Sequence, residues 1–162
     1  LNYWIDYIQN HDVTDIENYG GSGYTTNSSF VNLLKTGTLL HEMAFVGDAL
    51  TTPRVQDALS YIERHWDDLN TEPGWRGDIS TESLAYKQAA FTLMKGFVAF
   101  QISSFTVQRA GEPETVDWFD NMSSVLVAEQ NVTDGYWAPG GGEDIDTAKL
   151  EHIICPADDP SV

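Results

Sequence analysis

Residues 2–47 align with residues 56–101 at a constant offset of 54, without a gap. Tyr7 falls on Tyr61, Ile8 on Ile62, His11 on His65, Gly20 on Gly74, Gly23 on Gly77, Ser29 on Ser83, Thr38 on Thr92 and Leu39 on Leu93. A degenerate third copy begins near Val116 and carries Gln130, Asp134, Gly135 and Trp137. A repeat of this period constrains the fold more than any composition does. It means that one supersecondary unit is stacked on copies of itself, because alone it cannot bury its apolar side. The spacing predicts a single domain over residues 1–155, built of units 1–47, 54–105 and 115–155, with a tail at 156–162.

Within a unit the apolar residues recur at helical spacing. Val55, Ala58, Leu59, Ile62 and Trp66 mark one face, with Asp57, Ser60, Glu63 and Arg64 opposite, which is the pattern of a half-exposed helix. Thr52 and Pro53 start it with a hydroxyl cap and a proline where no amide partner is lost. Residues 2–10 repeat the pattern with Trp4, Ile5 and Ile8. The second helix of each unit is apolar on nearly every side. Over residues 84–105, Ala85, Ala89, Leu93 and Phe97 share one face and Ala90, Met94, Val98 and Ile102 another. Residues 30–46 are similar, and Thr26-Asn27 reads as the cap that restarts the chain there. No strand signal of useful length is found. Six helices in an all-α fold follow as the expectation, the buried ones in an inner layer and the half-exposed ones outside.

Composition narrows the partners. Twenty-five acids stand against 8 Lys plus Arg, a net charge of −17, which argues against nucleic acid and anionic lipid, since both need clustered cations. No run approaches the roughly 18 apolar residues of a membrane-spanning helix, so no membrane insertion is expected. The single Cys155 excludes an internal disulfide. The first residue is Leu1 and no leader pattern is found, which reads as a processed or excised segment. Sequons occur at Asn27, Asn121 and Asn131, with Asn27 and Asn131 taken as the glycosylation candidates. Sequons and charge together point to a cell-surface or extracellular setting.

The third unit resembles a known family. Gln130, Asp134, Gly135 and Trp137 are similar to the Gln-Trp motif of terpenoid cyclases and protein prenyltransferases, and Gly74 and Trp75 echo it in the second unit. The resemblance implies an α/α toroid-like arc of three helical hairpins. Another chain or further repeats would complete the ring. It also implies a structural role for Gln130 and Trp137, which tie neighbouring helices together, with ligand stacking as the alternative.

The chemistry of the family is only partly present. The cyclase acid motif is approached by Glu143-Asp144-Ile145-Asp146-Thr147-Ala148, with Ile145 in the place of the proton donor. A hydrocarbon side chain cannot donate a proton, and Asp144 and Asp146 fall at a helix start that favours ionised carboxylates. They remain the weak catalytic candidates. The prenyltransferase zinc site is approached only by His152 and Cys155, half of a ligand set. No cofactor is therefore expected, calcium being the one possibility kept open, through Asp134, Glu143, Asp144 and Asp146. Tyr24, Trp75, Tyr136 and Trp137, in glycine-rich loops, are the candidates for stacking on a ligand, with Trp4 and Trp118 as further aromatics near loops. The leading reading is a non-catalytic surface module with a structural or recognition role. A cyclase-like or carbohydrate-active enzyme and a calcium-dependent adhesion domain are the alternatives.

Overall fold

The computed structural model describes residues 1–69, 73–77, 84–133 and 135–137. Along them run α1 (Asn2–Ile8), α2 (Leu33–Phe45), α3 (Pro53–His65), α4 (Lys87–Ala99), β1 (Ser104–Arg109), β2 (Glu112–Asp117) and α5 (Trp118–Ala128). The all-α expectation is corrected: the described residues hold five helices and a two-stranded antiparallel sheet, a mixed α/β fold.

The repeat is realised in α2 and α4, whose first and last residues differ by 54. Both helices close alike. Gly47 follows α2 with φ 85°, and the next amide, Asp48 N–H, donates to the Met43 carbonyl at 3.0 Å. Gln101 follows α4 with φ 56°, and Ile102 N–H donates to the Phe97 carbonyl at 2.9 Å. A left-handed residue just past the end, with this backward bond, satisfies carbonyls that the helix leaves open. At its start α2 is capped by Asn32, whose side chain accepts Lys35 N–H at 3.1 Å, and not by Thr26-Asn27. Thr52 and Pro53 do stand at the start of α3, but the Thr52 hydroxyl makes no capping hydrogen bond.

These two helices cross closely. A Cβ on Gly37 would stand 2.6 Å from the Leu93 nitrogen and 2.8 Å from the Thr92 carbonyl carbon. Gly96 lies in turn against Leu40, and the Thr92 hydroxyl donates to the Leu34 carbonyl at 2.9 Å. Leu33, Leu40, Met43, Leu93 and Phe97 are buried around the crossing. Beyond it an aromatic cluster continues the core. Trp66 packs 5.1 Å from Trp75 and 4.8 Å from Phe105, and Phe97 packs 5.4 Å from Trp118.

The outer helices do not repeat. α1 has 7 residues and α3 has 13. Tyr7 is 46% exposed where its mate Tyr61 is 0% exposed, and His11 is exposed where His65 is buried. The predicted apolar helix over 84–105 is also shorter. It stops at Ala99, and the chain turns into a hairpin in which Phe105 and Val107 face inward and Val116 lies opposite Phe105. Ala110 (φ 51°) and Gly111 (φ 85°) form its two-residue turn, both left-handed, the geometry that matches strand twist. Pro113, opposite Gln108, sits one pair beyond the closing Arg109–Glu112 pair, where alternation turns its nitrogen away from the partner. Asp67, at the end of α3, clips the hairpin on by accepting from Arg109 Nε at 2.7 Å and Nη2 at 2.9 Å. Among the described residues no helix is long and apolar enough to cross a membrane.

Candidate functional site

The α4 face at Ala89, Thr92, Leu93 and Gly96 is the face that meets α2. Its repeat mates on α2 are Lys35, Thr38, Leu39 and Glu42, on the flank of α2 opposite Gly37 and Leu40. Among the described residues the short helix α1 borders that flank, and between it and α2 lies a groove of about 320 Å³, lined by Lys35, Thr38, Leu39 and Glu42 together with Leu34, by Trp4 and Ile8 of α1 and by the loop residues Ser22, Gly23 and Tyr24. The substitutions give this flank a different surface from its mate on α4. Gly96 lets Leu40 approach within van der Waals contact, whereas Glu42 fills the equivalent place, and Lys35 replaces a methyl group.

The groove has an apolar floor of Ile8, Leu34 and Leu39 and two aromatic walls. Trp4 is 44% exposed and Tyr24 67% exposed. The Lys35 ammonium stands 5.9 Å from the Tyr24 ring centroid and donates to the Phe30 carbonyl at 2.5 Å. Glu42 is half-buried, and burial pushes its carboxyl above the ordinary glutamate value of 4.5, with His41 pulling weakly the other way. The Thr38 hydroxyl is anchored on the Leu34 carbonyl at 3.1 Å and the Ser22 hydroxyl on the Gly23 carbonyl at 3.3 Å, which leaves oxygen lone pairs along the rim.

Of the stacking candidates, Tyr24 alone lines this groove. Trp75 is 0% exposed and packs on Trp66, which removes it from that set. Trp137 is buried too, its indole N–H donating to the Leu126 carbonyl at 2.6 Å in the last turn of α5. Tyr136 is half-exposed and lies outside the groove. Gln130 pairs with Trp137 and donates through Nε2 to the Gly135 carbonyl at 2.9 Å, where Gly135 takes φ 72°. A Cβ on Gly74 would stand 2.0 Å from the Asp68 carbonyl oxygen, so only glycine fits. The first unit holds an arrangement that the fixed offset hides. Gln9, directly after α1, pairs with Ser22 and donates through Nε2 to the carbonyls of Gly20 at 3.0 Å and Arg54 at 2.8 Å. Its loop is longer than that after Gln130, which conceals the likeness in the sequence.

Asp134, Glu143, Asp144, Ile145, Asp146, His152 and Cys155 lie outside the described residues. Among the described residues no group of three or more metal-ligating side chains stands together. Of the sequon residues, Asn27 is exposed, Asn131 accepts Thr133 N–H at 2.9 Å, and Asn121 accepts the Trp66 indole N–H at 2.9 Å.

Two further polar clusters are committed elsewhere. A cleft of about 580 Å³ between α3 and β1 contains His65, Glu63, Asp68 and Glu17. The imidazole Nδ1 lies 2.7 Å from Asp68 Oδ2 and Nε2 lies 2.9 Å from the Glu17 carbonyl, so neither nitrogen is open to a substrate. Lys87 and Glu129 form a buried ion pair at 3.4 Å, and Glu129 also accepts Ala85 N–H at 2.7 Å. That pair joins the start of α4 to the end of α5, a connection costly to break on one side because the other charge would be left buried.

No family model matches the chain, and no curated protein or solved structure matches it.

Proposed function

We propose that this domain is a non-catalytic recognition module that holds a small ligand in the groove between α1 and α2. One observation carries the reading: the flank of α2 equivalent to the α4 face that meets α2 borders a groove against α1, furnished with two exposed aromatic rings and with two charged residues in place of small ones. A concave, mostly apolar space with a few convergent polar groups is the usual form of a ligand site, and about 320 Å³ suits a small molecule. The non-catalytic part of the reading is supported by Ile145 in the place of the acid and by the engaged nitrogens of His65. The exposed sequon at Asn27 supports a cell-surface or extracellular setting.

The chain supplies its own reporter. Of 5 tryptophans, Trp66, Trp75, Trp118 and Trp137 are buried and Trp4 is exposed. Acrylamide therefore quenches chiefly Trp4. A ligand in the groove is expected to protect that emission and to raise the melting temperature, since it binds the folded state. If neutral sugars, amines, fatty acids and short peptides all leave both signals unchanged, the proposal fails.

A further inference from the structure

Resting on that reading, we infer that the groove takes a neutral mono- or disaccharide, stacked on Trp4 and Tyr24 and hydrogen-bonded at its edge by Glu42, Thr38 and Ser22. A pyranose ring has an apolar C–H face and a rim of hydroxyls, and the groove offers the complement of each. Its apolar part is the rings of Trp4 and Tyr24 together with Leu34 and Leu39. Its polar part is one carboxyl and two hydroxyls, all of which accept hydrogen bonds from sugar hydroxyls.

The other occupants fit less well. A helix seated as α2 is on α4 needs a small residue at position 42, where Glu42 stands. A polyanion meets a chain of net charge −17. A cationic ligand meets Lys35, which already lies over Tyr24. Lys35 and Glu42 balance one another, so the groove itself is close to neutral, as an uncharged sugar requires. A fatty chain would strand the carboxyl of Glu42 against hydrocarbon.

The test uses the whole chain with glucose, galactose, mannose, N-acetylglucosamine and their β1-4 disaccharides, and with glucuronate as the charged control. At least one neutral sugar is expected to protect Trp4 from acrylamide, and glucuronate to bind about tenfold more weakly or not at all. Trp4→Ala and Tyr24→Ala alter exposed side chains, so both are expected to melt close to the wild-type temperature. Both are expected to lose at least about tenfold in affinity, read by ligand-observed NMR because Trp4→Ala lacks the reporter. Tyr24→Phe is expected to keep the affinity, since the ring and not the hydroxyl is used. Protection by a non-saccharide alone leaves the recognition reading standing and overturns this inference. Protection by nothing in the wider panel overturns both. Unchanged saccharide affinity in a folded Trp4→Ala protein overturns the placement and the inference with it.

Discussion

Glu42 places a half-buried carboxyl on the groove at a cost to stability. Burial raises its carboxyl, so the folded protein holds that proton more tightly than the unfolded chain does. A raised value means the contribution is fully present below about pH 4.5 and is lost as pH climbs through the folded value. At pH 7 the ionised side chain therefore costs stability. Glu42→Gln is expected to raise the melting temperature at pH 7 and to leave it unchanged near pH 4, while weakening the groove's polar edge. Melts across that range check it, and equal shifts at both ends would point to packing instead. At this scale the sequence was legible in part. Tyr24 was recognisable as an aromatic in a glycine loop. Trp75 looked the same on paper and proved to be core, because loop residues next to a helix end can fold inward. Lys35 and Glu42 belong to no motif. Their signal lay in comparing repeat mates, where two charges stand in for Ala89 and Gly96.

Between elements, the decisive contact is the crossing of α2 and α4. Gly37→Ala places a methyl group against the α4 backbone at Leu93 and Thr92, atoms that cannot rotate away. Alanine favours helix by about 1 kcal/mol, yet overpacking of a tight contact costs roughly 1–3 kcal/mol. The expected result is net destabilisation, measured as a lower urea midpoint with an unchanged slope. A stabilised variant would show that the helices separate easily. The same pair of helices is the most legible part of the chain, since the apolar positions recur at the offset that separates α2 from α4. The hairpin was not legible for a definite reason. Gly47 announces the end of α2, but its mate is Gln101, which adopts the same left-handed turn without the glycine that would mark it. With no visible stop, the apolar spacing runs on through Phe105 and hides the alternation of Phe105 and Val107. The shortness of α1 was equally hidden, because Tyr7 matches Tyr61 in identity and not in surroundings.

For the molecule as a whole, acidity assigns the few cations their work. Arg54 binds Asp48 at 2.6 Å, Asp6 at 2.8 Å and Asn2 at 2.7 Å, joining α1, α3 and the segment between α2 and α3. Arg76 and Arg109 share Asp67, whose carboxyl they hold below the ordinary aspartate range, Arg109 most strongly. Such contacts are weakened by salt, but the repulsion among 25 acids is weakened as well. With so large an excess of one sign, repulsion dominates. Sodium chloride raised from about 10 mM to 500 mM, which shortens the screening length from about 30 Å to a few Å, is expected to raise the melting temperature by a few degrees. A fall would mean that the arginine links outweigh the excess charge.

The β1–β2 ribbon has no third strand beside it among the described residues; its β1 side faces α3, and its β2 side leaves backbone groups that another chain's strand can join. Glu112, Pro113 and Glu114 occupy the outward strand, two of them charged and one lacking an amide hydrogen. A second copy of this chain finds there a row with a gap in its donors and the same sign of charge as its own. The ribbon can thus stay single in a crowded solution of identical molecules, which an apolar strand of equal length would have turned into a template for fibres.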